Sequence, residues 1–232
     1  MNSHFMMRPI RMLSLLRLFS NLYLAFLAGS RHSRNEIRNE REMAEEQPHN
    51  HVILHKTIVL VGMMGAGKTA VGRTLAAQLG VDFLDSDHEI EIAADRSIAE
   101  IFSRDGEAFF REKESQVIER LLEGTPGVLS TGGGAFLAPR NREMITAKGV
   151  SIWLDAGLEV LWDRVRHKNT RPLLQTSDPK ATLAGIYEAR VPIYAMADVS
   201  VASGSNTSLE EMGARVQQEL LAQRPDVLEA VT

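Results

Sequence analysis

A glycine-rich motif near residue 62 limits this chain more than any other feature of its sequence. Residues 62–69 (GMMGAGKT) satisfy the pattern G-x-x-x-x-G-K-[ST], and they follow an apolar, β-branched segment at 56–62. Beyond them, small and apolar residues recur with helical spacing until Gly80, a residue typical of the end of a helix. The sequence therefore predicts a buried strand, a glycine turn and a helix, which is the context in which this motif binds phosphate.

The chemistry of the motif is that of a nucleoside triphosphate site. Glycines leave room for backbone N–H groups to converge on phosphate oxygens, and the N-terminus of the helix adds partial positive charge. Lys68 supplies a charge for the β and γ phosphates, while the Thr69 hydroxyl suits Mg²⁺. The motifs D-x-x-G and N-K-x-D occur nowhere in the sequence, which disfavours a guanine-nucleotide switch. The residues expected to contact the nucleotide are Gly65, Ala66, Gly67, Lys68, Thr69 and Ala70.

The rest of the chain repeats the alternation of short apolar segments with helical stretches. Such an alternation favours an α/β fold in which helices cover both faces of a parallel sheet. Capping boxes are predicted at Ser97 with Glu100, and at Thr207 with Glu210 before the last helix. Further strands are predicted at 81–84, 127–131, 150–155 and 197–202.

The charge distribution separates residues 1–41 from the rest of the chain. Seven arginines and two glutamates there give +5, so the total of −4 leaves −9 on the remaining residues. A body this acidic argues against nucleic acid as a partner, because attraction to a phosphate backbone needs positive charge. Anionic ligands must therefore be held by local clusters of donors. The chain has no cysteine, which excludes disulfides, thiolate metal sites and a cysteine nucleophile.

Residues 1–56 are expected to form an extension outside the folded domain, which we place at 57–223 with a tail at 224–232. The apolar stretch at 18–28 is too short for a membrane-spanning helix and lacks a clear secretory cleavage site. Its arginines and its scarcity of acidic residues fit an organelle transit peptide. The alternative is an upstream extension of a working chain that starts at Met43.

Two carboxylates follow the predicted second strand. Asp85 and Asp87 should open into the same crevice as the phosphate loop, because a parallel sheet gathers functional groups at the carboxyl ends of its strands. One carboxylate can serve Mg²⁺ through water while the other contacts a hydroxyl nucleophile. The alternative for Asp87 is a helix cap without contact to a ligand.

Three consecutive glycines mark a second place where a ligand approaches the backbone. Gly132, Gly133 and Gly134 follow a core strand directly, at a cost in backbone entropy that close approach of a ligand usually offsets. Arg111 and Arg190 lie on predicted helices and are candidates for binding an anion. Either arginine could equally be an exposed surface charge.

The polar, basic segment at 166–178 lies between two predicted helices. Pro172 fixes the chain after Arg171, and the residues that follow are small and polar. This composition predicts a mobile lid that brings Arg171 onto the transferring phosphoryl group and excludes water.

Six motifs of this sequence resemble, in order, those of the shikimate kinases, which are P-loop kinases of the nucleoside monophosphate kinase type. The resemblance covers about residues 57–202 and implies a three-layer α/β/α P-loop fold with a five-stranded parallel sheet, substrate-binding helices at about 86–115 and a mobile lid. It also implies ATP-dependent phosphorylation of the 3-hydroxyl of shikimate, on the pathway to chorismate and aromatic amino acids. The motifs are GMMGAGKT, LDSDHEIE, SIAEIFSRDGEAFFREKE, STGGGAF, NTRPLL and EARVPIY.

The resemblance implies a role for each residue on the substrate side. Asp87 would contact the ring hydroxyls, including the attacking one, and Arg111 with Arg190 would hold the carboxylate of shikimate. Backbone N–H groups of Gly132, Gly133 and Gly134 would complete the pocket. Such a set suits a ligand that carries one carboxylate and three hydroxyls.

The same resemblance implies the roles on the nucleotide side. Arg171 would stabilise phosphate charge, so that Lys68, Asp87 and Arg171 form the catalytic set, and Thr69 with Asp85 would support Mg²⁺. ATP and shikimate are then the partners of a monomer, and neither nucleic acid nor a membrane is expected. Compact bacterial members of the family imply a cytoplasmic enzyme, while the long leader resembles that of plastid precursors.

Two rival interpretations stay open from the sequence. A related small-molecule kinase could act on gluconate or on a nucleotide, although a nucleotide acceptor would need an aromatic platform that an aromatic content of 6% does not favour. A catalytically idle P-loop domain could instead serve as an interaction module with the basic leader as its tether. The presence of Lys68, Thr69, Asp87 and Arg171 argues against the idle domain.

Overall fold

Strands and helices alternate along the chain in the computed structural model, which describes residues 52–167 and 172–231. Short 3-10 helices at Ala135–Leu137 and Pro172–Leu174 supplement the elements named next. In chain order these are β1 (Val52–Leu54), β2 (Thr57–Val61), α1 (Lys68–Leu79), β3 (Phe83–Asp85), α2 (Ser86–Ala94), α3 (Ile98–Leu122), β4 (Val128–Ser130), α4 (Pro139–Lys148), β5 (Gly149–Asp155), α5 (Leu158–Val165), α6 (Pro179–Tyr194), β6 (Val199–Ala202), α7 (Leu209–Gln223) and β7 (Leu228–Ala230).

A five-stranded parallel sheet in the order β3-β4-β2-β5-β6 forms the centre of the fold. Every residue of β2 is buried, as expected for a strand that has a neighbour on each side and helices on both faces. Helices α1 and α7 pack against each other, and α3 packs against α4. The predicted α/β/α fold with a five-stranded parallel sheet is therefore confirmed. Each predicted strand matches an observed one within two residues at either end.

A second, two-stranded sheet lies outside the predicted domain boundaries. Strand β1 pairs antiparallel with β7, and Val52 faces Ala230 in this pairing. Both strands fall in segments that we assigned to the extension and the tail, so the boundaries at 57 and 223 were too narrow. The described part of the folded unit begins at Val52. Each strand has only three residues, and the pairing joins distant parts of the chain, so no local pattern marks it.

The ends of the helices follow the predicted signals, with one shift. Gly80 ends α1 in the left-handed conformation, and Ser97 with Glu100 forms the predicted capping box of α3. The capping box of α7 is formed by Ser208 with Glu211, and not by Thr207 with Glu210. Both pairs satisfy the capping pattern, and only the backbone conformation at Ser208 decides between them.

The long helix α3 is broken at Gly106, where φ is 82° and ψ is 171°. The break divides it into a segment that follows α2 and a segment that carries Arg111. Among the described residues, no helix is both long and apolar enough to cross a bilayer.

Replacement of Ser208 by alanine should lower the free energy of unfolding by about 1 kcal/mol, because the hydroxyl accepts a hydrogen bond from the Glu211 amide at 3.1 Å. Urea denaturation measures this change. Thr207→Ala is the matched control, and we expect it to change the free energy of unfolding by less than about 0.5 kcal/mol. A larger loss of stability in Thr207→Ala than in Ser208→Ala would show that Thr207, and not Ser208, caps α7.

Candidate active site

The phosphate loop joins β2 to α1 and is shaped by glycines. Gly65 has φ of 82° and Gly67 has φ of 94°, a region that favours glycine. A Cβ on Gly65 would lie 2.6 Å from Cγ1 of Val165 in α5. The loop thus packs closely under α5 while its backbone turns into the first residues of α1. Backbone N–H groups and the helix N-terminus meet there, as an anion site requires.

Two cations hold the carbonyl groups of this loop. Lys68 is buried, and its Nζ donates to the carbonyl oxygens of Gly62 at 2.8 Å and Met63 at 3.1 Å. Arg164 of α5 donates from Nη1 to the carbonyl oxygens of Gly65 and Ala66, each at 3.3 Å. Because these hydrogen bonds fix the direction of four loop carbonyls, they stabilise one conformation of the phosphate loop.

Arg164 also reaches the segment between β6 and α7. It donates to Ser203 Oγ at 3.3 Å and to the carbonyl oxygen of Gly204 at 3.0 Å. Arg164 has no role among the sequence predictions. The structure places it beneath the phosphate loop, where one guanidinium joins that loop to the 203–204 segment.

The predicted carboxylates meet the phosphate loop at the end of β3. Thr69 Oγ1 donates to Asp85 Oδ2 at 3.0 Å and lies 3.3 Å from Ser130 Oγ. The other oxygen of Asp85 accepts the Asp87 amide at 3.1 Å and caps α2. The helix-cap alternative that we considered for Asp87 therefore belongs to Asp85. The Asp87 side chain stays available to a ligand in the cleft.

The Asp87 carboxylate is held in surroundings that disfavour its charge. Burial raises its pKa and the negative charge of Asp85 adds to the rise, while the cations Lys68 and Arg111 oppose it. A partly buried carboxylate with a raised pKa is a stronger proton acceptor than an exposed one, and such groups are frequent in active sites.

The three glycines follow β4 and lie against the candidate side chains. A Cβ on Gly132 would lie 2.6 Å from Asp87 Oδ1, and a Cβ on Gly134 would lie 2.6 Å from Arg111 Cζ. The Gly132 amide donates to Ser86 Oγ at 3.2 Å. Among the three amides, those of Gly133 and Gly134 make no hydrogen bond within the described residues and are the ones left for a ligand. The glycines therefore make room for functional groups from α2 and α3.

Arg111 is oriented by a buried glutamate that sequence analysis did not single out. Glu114 is 1% exposed, and its Oε2 accepts Arg111 Nη1 at 2.8 Å. Burial raises the pKa of Glu114, and the pairing with Arg111 opposes the rise. Glu107 accepts from Nε and Nη2 of the same guanidinium at 3.3 and 3.2 Å. The i, i+3 and i, i+4 spacing of these acids from Arg111 was the available signal, but such pairs are common on exposed helices.

Arg190 and Tyr194 of α6 approach the glycines from the other side. Arg190 Nη1 lies 4.0 Å from the position of a Cβ on Gly133. The Tyr194 hydroxyl donates to the carbonyl oxygen of Gly133 at 2.5 Å. Tyr194 ends the motif EARVPIY, yet sequence analysis gave it no role, because a buried tyrosine in a helix is ordinary core packing.

One cleft of about 570 Å³ joins these parts. It extends from the segment before α7 across the phosphate loop to Asp87 and the first two glycines. Gly134, Arg111 and Arg190 do not line this cleft directly and are grouped at its end through the contacts given above. Arg171, predicted to be the lid arginine, lies outside the described residues. The candidate residues that line the cleft are Gly65, Ala66, Gly67, Lys68, Thr69, Ala70, Asp85, Asp87, Gly132 and Gly133.

The oxygen donors at the base of the cleft fit Mg²⁺. Asp85 and Ser130 each offer a hard oxygen atom within hydrogen-bonding distance of the Thr69 hydroxyl. No group of three or more His, Cys, Asp or Glu side chains in the described part could hold a metal by itself. Mg²⁺ does not require such a cage, because it is usually bound by one or two carboxylates, waters and substrate phosphates.

Asp87→Asn should stabilise the protein at pH 7. Because the pKa of Asp87 is raised in the folded state, its charged form destabilises the folded protein at neutral pH. This loss of stability disappears when the pH falls below 3.8, the pKa of the carboxyl group in the unfolded chain. If the penalty is about 1 kcal/mol, the Tm should rise by about 2–4 °C at pH 7 and by less near pH 4. Thermal unfolding of Glu188→Gln, an exposed carboxylate of α6, controls for the loss of one charge. A lower Tm for Asp87→Asn at pH 7 would contradict the pKa assignment.

Comparisons with known proteins agree with this geometry. The shikimate kinase family model matches residues 64–221. A shikimate kinase of Ruegeria pomeroyi is 69% identical over 176 residues, which cover 76% of this chain and 90% of that protein. A second, from Cereibacter sphaeroides, is 66% identical, with 76% of this chain and 87% of that protein covered.

Solved structures give the same result. The shikimate kinase of Acinetobacter baumannii, solved in complex with shikimate, superposes with a TM-score of 0.68 at 37% identity, over 73% of this chain and 94% of that one. The enzyme of Aquifex aeolicus superposes with a TM-score of 0.62 at 33% identity, over 71% of this chain and 95% of that one. Fold, site and sequence similarity together show that this chain belongs to the shikimate kinase family.

Proposed function

We propose that this protein transfers the γ-phosphoryl group of ATP to the 3-hydroxyl of shikimate, giving shikimate 3-phosphate and ADP. The observation that carries the proposal is one continuous cleft that runs from the phosphate loop to Asp87, Gly132 and Gly133. Arg111 and Arg190 lie beside the glycine segment at the end of this cleft. A phosphate donor and an acidic polyol could meet in such a cleft. Membership of the shikimate kinase family supports this choice of acceptor.

On the nucleotide side, the chain supplies positioning and charge. Amides of the phosphate loop and the N-terminus of α1 bind the phosphates, and Lys68 exchanges its loop carbonyls for phosphate oxygens. Thr69 and Asp85 would hold Mg²⁺, which neutralises charge on the β and γ phosphates when bound. Arg171 remains the proposed lid arginine, and the 203–207 segment that Arg164 contacts would lie near the nucleoside.

On the acceptor side, Asp87 orients the attacking hydroxyl and accepts its proton as the new P–O bond forms. Phosphoryl transfer passes through a loose transition state, so the attacking hydroxyl loses its proton only late in the reaction. The raised pKa of Asp87 supports this role, because it makes the carboxylate a better acceptor of that proton. Arg111 and Arg190 hold the carboxylate, and the free amides of Gly133 and Gly134 contact the bound acid.

We further propose that the enzyme works as a monomer in the cytoplasm. The phosphate loop, Asp87 and two of the three glycines form one continuous cleft within a single chain, which supports a monomeric active unit. Gel filtration with light scattering tests the monomer, and fractionation of source cells tests the compartment. A dimer or an organelle enzyme would overturn the respective statement.

A coupled assay of ADP release tests the proposed function. We expect ADP release that depends on shikimate and saturates with it, and shikimate 3-phosphate as the product by mass spectrometry. Dependence on gluconate instead would assign a related sugar-acid kinase. ATP binding with no acceptor-dependent ADP release would assign a nucleotide-binding module.

Gly134→Ala should weaken shikimate binding more than ATP binding. Its Cβ would lie 2.5 Å from Arg111 Nη2, so the guanidinium must move away from its place beside the glycines. We expect the KM for shikimate to rise about tenfold, in line with the cost of about 1–3 kcal/mol for a displaced charged hydrogen-bonding group, and the KM for ATP to change less than about twofold.

The matched control is Gly185→Ala in α6, where an added Cβ meets no atom within 4 Å. This variant should keep both KM values and gain slightly in stability, because alanine favours a helix over glycine. Equal KM values for Gly134→Ala and the wild type would place the substrate carboxylate away from Arg111.

A further inference from the structure

A fully buried tyrosine hydroxyl lies between two elements of the acceptor site. Tyr194 is 0% exposed and is the last residue of α6. Its ring belongs to the hydrophobic core, so packing alone could be provided by phenylalanine. A buried hydroxyl is costly unless it is hydrogen-bonded, and its partners therefore indicate what it does.

One partner is the glycine segment. The Tyr194 hydroxyl donates to the carbonyl oxygen of Gly133 at 2.5 Å. The carbonyl oxygens on either side are bonded locally, since Gly132 accepts the Ala135 amide and Gly134 accepts the Leu137 amide, each at 3.1 Å. The Gly133 carbonyl is the middle one and is held from outside the segment. The Gly133 carbonyl and the Gly134 amide belong to the same peptide plane, so this bond also fixes the direction of the Gly134 amide.

The second partner is Arg190, one turn earlier on the same helix. The i, i+4 spacing places Arg190 and Tyr194 on the same face of α6. The charge and hydrogen bonding of Arg190 lower the pKa of Tyr194 and so oppose the rise that burial causes. Arg190 Nη1 also lies near Gly133, 4.0 Å from the position of its missing Cβ. None of the ion pairs among the described residues involves Arg190. The tyrosine oxygen is thus a neutral acceptor that orients this cation without cancelling its charge.

We propose that Tyr194 is a positioning residue for the acceptor: its hydroxyl joins the Gly133 carbonyl to the Arg190 guanidinium and fixes both for the acceptor's carboxylate. The inference rests on the proposed function and adds a residue to that site. Tyr194 does not touch the substrate in this arrangement. It acts through a backbone carbonyl that it holds and a cation that it orients.

The test is the Tyr194→Phe variant, which keeps the ring and removes the hydroxyl. The KM for shikimate should rise about tenfold, because a buried carbonyl and a guanidinium both lose a partner. The KM for ATP should change less than about twofold, since the phosphate loop is untouched. A purely structural role would instead lower the Tm and the fraction of active enzyme, with both KM values unchanged, and would overturn the inference.

Tyr187→Phe is the matched control, because Tyr187 is a partly buried tyrosine of the same helix whose hydroxyl makes no hydrogen bond within the described residues. It should leave both KM values unchanged.

A double variant tests whether Tyr194 acts through Arg190. In an Arg190→Gln background, Tyr194→Phe should raise the KM for shikimate by less than about threefold, because the cation it orients is gone. A full tenfold effect in that background would contradict action through Arg190.

Should Tyr194→Phe fail to fold, the unmodified enzyme gives the answer by NMR. The chain has three tyrosines, so ring-labelled tyrosine yields few signals, and Tyr23→Phe and Tyr187→Phe assign them. Shikimate should shift the Tyr194 signal, and ATP alone should not. An unshifted signal at saturating shikimate would overturn the inference.

Failure of the inference can be distinguished from failure of the proposed function. If the wild type neither binds nor phosphorylates shikimate, the proposed function is wrong. If the wild type does both and Tyr194→Phe behaves like the wild type, only the inference about Tyr194 is wrong.

Discussion

The order of the five parallel strands decides which turns of this protein face one another. Because β2 lies between β4 and β5, the phosphate loop after β2 and the glycines after β4 leave the same edge of the sheet side by side. Strand β3 lies beyond β4 and brings Asp85 and Asp87 to that edge. The contacts between these three segments depend on this pairing, since the segments are far apart in sequence.

Charge in the cleft is arranged for ligands and not for stability. Asp85 and Asp87 lie close together, and burial and repulsion raise the pKa of Asp87. Glu114 is buried with one oxygen that has no partner among the described residues. Such groups cost free energy in the folded protein. In a phosphotransferase, a bound cation and an acceptor hydroxyl are the groups that offset the cost, which couples stability to occupancy of the site.

Side chains from distant helices hold the backbone of both glycine-rich segments. Arg164 of α5 binds carbonyls of the phosphate loop, and Tyr194 of α6 binds the carbonyl of Gly133. Glycine permits close approach of a ligand but does not fix a conformation. The rigidity that binding needs is therefore supplied by these side chains, which fix carbonyls and leave amides free.

The sequence by itself determined the nucleotide loop, the strand and helix alternation and most candidate residues, because each depends on a local pattern. A glycine turn with Lys68 and Thr69, or a capping box at Ser97, is complete within a few residues. Only the tertiary structure decided that Asp85 caps α2, that Ser208 caps α7, that β1 pairs with β7, and that Glu114, Arg164 and Tyr194 support the site. These outcomes depend on backbone angles or on partners distant along the chain. Local patterns did not decide them, because more than one residue satisfied the same capping pattern and because i, i+3 pairs such as Arg111 with Glu114 are common on exposed helices.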